Sequence, residues 1–80
     1  MEKHIGIVKV NENEILEWLQ LEGGCIKGVT HSWEDNSIRF GIEHPEMPLV
    51  REGEVLRVMG LAFEELPSGE IKRLPITREY

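Results

Sequence analysis

Pro67-Ser68-Gly69-Glu70 stands between two short arms of opposite charge, a pattern that leaves the chain few options from Phe63 onward. Proline presets φ for the first corner of a tight reversal, and glycine takes φ > 0 without a Cβ penalty. With Leu66 opposite Ile71, Glu65 meets Lys72, Glu64 meets Arg73 and Phe63 meets Leu74, so apolar pairs bracket two acid–base pairs. Each opposed charge pair contributes about 0.2–1 kcal/mol. The pattern predicts a β-hairpin over residues 63–74.

Upstream, Ile5, Ile7, Val8 and Val10 alternate imperfectly around Gly6 and Lys9, which fits a first strand. Asn11 followed by Glu14 has the form of a capping box, with Asn13 as a competing N-cap. Ile15, Leu16, Trp18 and Leu19 then follow the stripe of a short amphipathic helix, which Glu22-Gly23-Gly24 is expected to end. A helix this short is marginal alone, so packing of Ile15, Leu16 and Leu19 must hold it. Cys25 to Trp33 is β-prone, with a bulge or close approach expected at Gly28. Glu34-Asp35-Asn36 reads as a turn, and Ser37 to Glu43 alternates cleanly, with Ile38, Phe40 and Ile42 on one face. Pro45 and Pro48 take the chain off the sheet because they lack the donors a ladder needs. Val55 to Phe63 also fits a helix face, but Val58, Gly60 and the hairpin after it favour a strand apolar on both sides. Residues 77–80 read as a frayed end. The fold class expected is α+β: one short helix packed on a mostly antiparallel five-stranded sheet, in the order β-α-β-β-β-β, ending in the hairpin.

Eighty residues read as a single small domain, 1–80, with a thin core. Small domains supplement such cores with disulfides, metals or oligomerisation. Cys25 is the lone cysteine, which rules out an intramolecular disulfide, so a homo-oligomer is expected, with one face of the Val55–Phe63 strand meeting another subunit. Fifteen acidic against nine basic residues give a formal net charge of −6, which argues against a nucleic-acid partner. The start of the chain lacks the basic and apolar run of a secretion signal, and no segment approaches the roughly 18 apolar residues of a membrane span. With an unpaired cysteine, a cytoplasmic protein with no membrane partner is expected.

Chemistry-bearing constellations are sparse. His4, Cys25, His31 and His44 follow no metal-ligand spacing, so no metal or other cofactor is expected. Cys25 and His31 share a face if their strand is regular. A Cys–His nucleophile, however, needs an activated thiolate and a third orienting group. The carboxylate pairs at Glu34–Asp35, Glu52–Glu54 and Glu64–Glu65 read as solvated surface acids. A working acid pair would require one of them raised by burial in a cleft. Gly23-Gly24 follows a helix and precedes a strand, the reverse of a phosphate-binding loop. No enzymatic activity is expected. The residue types that remain are those of recognition: Trp18, Trp33 and Arg39, with His44 and Met47 in a stiff proline-bounded loop. The alternative for the tryptophans is structural, Trp18 closing the core edge of the helix and Trp33 capping a hairpin.

The run Ile38-Arg39-Phe40-Gly41-Ile42-Glu43-His44-Pro45-Glu46-Met47-Pro48, followed by Val50-Arg51-Glu52-Gly53-Glu54, resembles a pattern in small uncharacterised bacteriophage-encoded proteins. Trp18-Leu19-Gln20-Leu21 and Ile26-Lys27-Gly28-Val29 are similar to the same proteins, so the resemblance covers residues 15–54, while the Val55–Tyr80 portion departs from their shorter tails. It brings no activity and no residue roles. It implies a context, in which small phage proteins bind a host protein or sequester a host signal molecule. The function expected is a non-enzymatic binding protein that occupies a host macromolecule. The alternative is an oligomer with subunit-interface pockets for a small anionic, nucleotide-like ligand, stacked on Trp18 or Trp33 and met by Lys27, Arg39 or Arg57.

Overall fold

The computed structural model describes residues 2–80, in the order α1 (Glu12–Trp18), β1 (Cys25–Ser32), β2 (Ser37–Glu43), β3 (Phe63–Glu65) and β4 (Ile71–Arg73). Asn11 is the N-cap of α1, but its side chain makes no capping bond; its carbonyl accepts from Glu14 and Ile15 instead. The helix ends earlier than Gly23-Gly24. Gln20 takes the left-handed conformation at φ 54°, its N–H donates to Glu17 O (3.0 Å), and the Leu21 N–H donates to Leu16 O (2.8 Å). These are the paired bonds of a Schellman motif. The motif's usual apolar contact is made by Leu16 and Leu21, both buried, so the helix end is also the nucleus of the core.

The β1 and β2 strands pair antiparallel from Ser32↔Ser37 to Cys25↔Glu43, with the register shifting between Ile26 and Gly28. The extra residue is Lys27, beside the glycine where a bulge was expected. The shift has a consequence for chemistry. His31 lies opposite Ile38 and Cys25 opposite Glu43, so Cys25 and His31 stand on opposite faces, contrary to the reading of a regular strand. The same shift gathers Ile26, Val29 and His31 with Ile38, Phe40 and Ile42 on one side of the ribbon. The α1 helix meets β1, where Glu12 Oε1 accepts the Ile26 N–H at 2.6 Å.

The five-stranded sheet is not formed. There are two separate two-stranded sheets, β1–β2 and β3–β4. Residues 5–10 form no strand, and of Val55–Phe63 only Phe63 enters one, leaving Met59 in an isolated bridge with Glu79. The physical cause is connection rather than propensity. Each β-prone run pairs with the nearest one across a tight turn, and the Pro45–Pro48 segment carries the chain away before a later run can lie beside β2. Val55, Leu56 and Val58 are therefore exposed rather than buried on both sides. The 77–80 end is not frayed. Gly60 N–H donates to Arg78 O (3.0 Å), Tyr80 N–H donates to Val58 O (2.8 Å), and Arg57 pairs with Glu79 at 3.5 Å.

The terminal hairpin forms, one residue out of the expected register: Phe63 faces Arg73, Glu64 faces Lys72 and Glu65 faces Ile71. The loop is Pro67-Ser68-Gly69, closed by Gly69 N–H to Leu66 O and Leu66 N–H to Glu70 O, both 2.8 Å, with Gly69 at φ 90°. A three-residue loop with a left-handed glycine in its last place is a favoured hairpin closure, and it wins over the four-residue turn. Arg73 is thereby released from Glu64. Its guanidinium donates to Gln20 O (Nε, 2.8 Å), to Leu74 O (Nη1, 3.0 Å) and to the Glu46 carboxylate, with its side chain only 8% exposed. Gln20 completes the junction: its Nε2 donates to Ile71 O and its Oε1 accepts from the Arg73 N–H, both at 2.7 Å. Those are the outward-facing backbone groups of β4, so the amide acts as a one-residue strand.

Leu16, Leu21 and Ile76 form the buried core, with Leu19, Ile26, Ile42, Met47, Met59 and Leu61 packed around them. Such a core covers little. The accessible surface is 7430 Å², against roughly 4,900 Å² for a compact monomer of 9.2 kDa. The radius of gyration is 15.4 Å, against about 12 Å for a compact chain of this length.

Candidate recognition surface

The free end of the β1–β2 ribbon brings together the residues best suited to binding. Trp33 opens the four-residue loop between the strands and is 87% exposed. It does not cap the hairpin core. Its ring meets the His31 ring edge-on, with centroids 4.5 Å apart and planes at 77°, an arrangement favoured by the ring quadrupole. His31 is in turn held by Asn36 Oδ1 at 3.1 Å from Nε2, and Asn36 turns the loop through φ 55°. Val29 and Ile38, both exposed, continue the apolar face beside this pair.

Asp35 fixes the loop from the other side. Its Oδ1 accepts from the Ser37 hydroxyl (2.6 Å) and the Ser37 N–H (3.2 Å), and Oδ2 lies 3.5 Å from Arg39 Nη2. The Ser37 hydroxyl bond is the main reason its carboxyl is held down to about 2. Partial desolvation opposes the shift, while the Ser32 hydroxyl, the Ser37 N–H and the Arg39 charge add to it. Because the folded-state pKa is depressed, the carboxylate's contribution to stability is present above about pH 4 and is lost as pH falls through about 2. Acid unfolding curves should therefore show a component in that window which Asp35→Asn removes. Identical acid arms for the two proteins would contradict this account of the loop.

The other residues marked by the sequence do not join this surface. Arg39 is opposite Thr30, on the other side of the ribbon from Trp33's partner His31, and is paired with Asp35. Trp18 is 65% exposed at the end of α1 and shares no ring contact with Trp33. Met47 packs against the core, and His44 organises its own loop, accepting the Glu46 N–H on Nδ1 (3.1 Å) and the Met47 N–H on its carbonyl (3.0 Å). Lys27 and Arg57, candidates for a phosphate, have Glu43 and Glu79 as partners at 3.5 Å. The strand register places Cys25 and His44 around one shallow, open depression with Lys27, Glu43 and Pro45. Among the described residues no group of three or more His, Cys, Asp and Glu side chains is placed to hold a metal ion, and no helix is long and apolar enough to cross a membrane. The parts of the surface that residue types alone did not mark are Val29, His31 and Ile38. Their signal was the bulge, which brings Val29 and His31 onto the side of the ribbon that carries Ile26.

Comparison with protein-family models, curated proteins and solved structures finds no match.

Proposed function

We propose that the chain is a non-enzymatic binding protein that assembles with copies of itself and acts by occupying a host macromolecule, in the bacteriophage context its central segment resembles. The observation that carries this reading is Trp33, largely solvent-exposed at a hairpin tip yet held by His31, with the loop tied by Asp35 and Asn36. A large aromatic with few conformations left to lose is the usual anchor of a binding hot spot. The surrounding Val29 and Ile38 supply apolar contact, and the net charge of −6 suits a target with a basic rim.

Trp33→Ala removes the anchor without touching the core, so its unfolding midpoint should match the parent's. Retention of bacterial partner proteins on the immobilised chain should fall about thirtyfold, the effect of losing a hot spot of about 2 kcal/mol. Retention of the same proteins by parent and variant alike would reject the tip as the contact. Turnover of a substrate by the purified chain would reject the binding-protein reading itself.

A further inference from the structure

Residues 5–10 are a β-prone segment without a sheet. Ile5, Ile7 and Val8 project into solvent, Ile7 at 99%, and no backbone group of this segment bonds to another described residue. Apolar, β-branched residues in an extended segment bury themselves by pairing with an open strand edge. The ribbons differ in what they offer. The outer edge of β4 is taken by the Gln20 amide, and that of β1 is engaged at Ile26 by Glu12. β3 is open but only three residues long. β2 has seven residues, an apolar face of Ile38, Phe40 and Ile42, and no backbone hydrogen bond from residues 38–43 to partners outside its own ladder. Its length matches the six residues of the arm.

Charge points the same way. Lys3 and Lys9 against Glu2 give the arm a net charge of +1, while the rest of the chain carries −7 of the total −6. The arm is thus the basic piece of an acidic protein, and a second copy supplies the opposite sign.

The arm does not reach its own β2. It leaves from Asn11, at the start of a helix that meets β1, and Glu12 is bonded to an Ile26 N–H that β2 does not use. Crossing to the far side of β2 spans two strand spacings, roughly 10 Å, which consumes about three extended residues of the six. The three that remain would cover less than half of the seven-residue β2 edge.

We propose that residues 5–10 of one copy add as a third strand along the outer edge of β2 of a second copy. Reciprocal exchange closes a two-fold dimer in which each ribbon becomes a three-stranded sheet. The surplus surface fits: roughly 2,500 Å² per chain beyond a compact monomer covers the 2,000–5,000 Å² in total that permanent interfaces bury. The inference rests on the self-association stated under the proposed function and adds the segment that performs it.

The test uses the full chain and Val8→Pro, which removes a backbone donor and fixes φ at a position that is 88% exposed and outside every helix and strand of its own chain, so the fold is expected to persist. Light scattering across a dilution series should give twice 9.2 kDa for the parent, with the dissociation constant raised at least tenfold in Val8→Pro and unchanged in Trp33→Ala. Amide exchange should show residues 5–10 and those amides of 38–43 that point away from β1 protected in the parent and released together in Val8→Pro, with the amides bonded to β1 unchanged. A dimer that survives Val8→Pro with the same dissociation constant overturns the arm exchange and leaves self-association standing. A monomer at every concentration overturns both.

Discussion

Arg73→Ala is expected to destabilise the chain by about 3 kcal/mol, a large fraction of the roughly 4–12 kcal/mol available to 80 residues. The Arg73 guanidinium holds three regions together. It bonds the helix end through Gln20 O, the proline loop through Glu46 and its own strand through Leu74 O. No other described side chain bonds to all three regions. Truncation leaves two carbonyls and a carboxylate without their donor, and the cost is set by how well water replaces it. Glu46 is 43% exposed and is readily rehydrated, which keeps the figure at the lower end for a broken ion pair. Arg73→Lys should recover less than half of the loss, because one ammonium does not reach three acceptors set out in a fan. Urea unfolding gives the magnitude. Amide exchange gives the mechanism: β3 and β4 should lose protection ahead of β1 and β2. A change below 1 kcal/mol, or uniform loss of protection, would rule out this junction as the attachment of the hairpin.

Leu21→Ala should cost about as much, near 3 kcal/mol, for a different reason. Leu21 is 0% exposed and closes the helix end by packing on Leu16, with Ile76 from the far end of the sequence as the third buried side chain. With a core this small, few neighbours can move in to refill the space, so the cavity term is felt nearly in full. Leu21→Met, which preserves volume, should cost less than about 1.5 kcal/mol. If alanine and methionine are tolerated equally well in denaturant titrations, the burial of Leu21 does not hold the helix to the rest of the chain.

Local features proved readable in the residues, and long-range ones did not. The helix stripe of Ile15, Leu16 and Leu19, the alternation from Ser37 to Glu43 and the turn at Pro67–Gly69 each depend on neighbours within a few positions. The hairpin register slipped by one because the choice between a three- and a four-residue loop turns on where the left-handed glycine falls, and the attractive charge pairing favoured the wrong one. The helix end was misplaced because Gln20 adopts a conformation more natural to glycine; its compensation comes from backbone groups of Ile71 and Arg73, more than fifty residues away. Residues 5–10 and 55–58 show the limit most plainly. Their β-propensity is written in the residues, but a strand also needs an available edge, which composition does not report. At the candidate surface, residue type offers Trp33 both an exposed and a structural role, and offers its partner His31 only as a metal ligand or as half of a Cys–His pair; the ring contact between the two depends on the loop that brings them together.

The Gln20 amide has a bearing on how this protein stays finite. A two-stranded ribbon open on both sides is a seed for endless stacking, since every added strand exposes a fresh edge. By seating a side chain on the outer groups of β4, the helix end plugs one side of the hairpin at Ile71 and Arg73. With that side plugged, the hairpin can be extended only along β3, which is three residues long. The residue that ends the helix therefore also limits growth of the hairpin into a fibril.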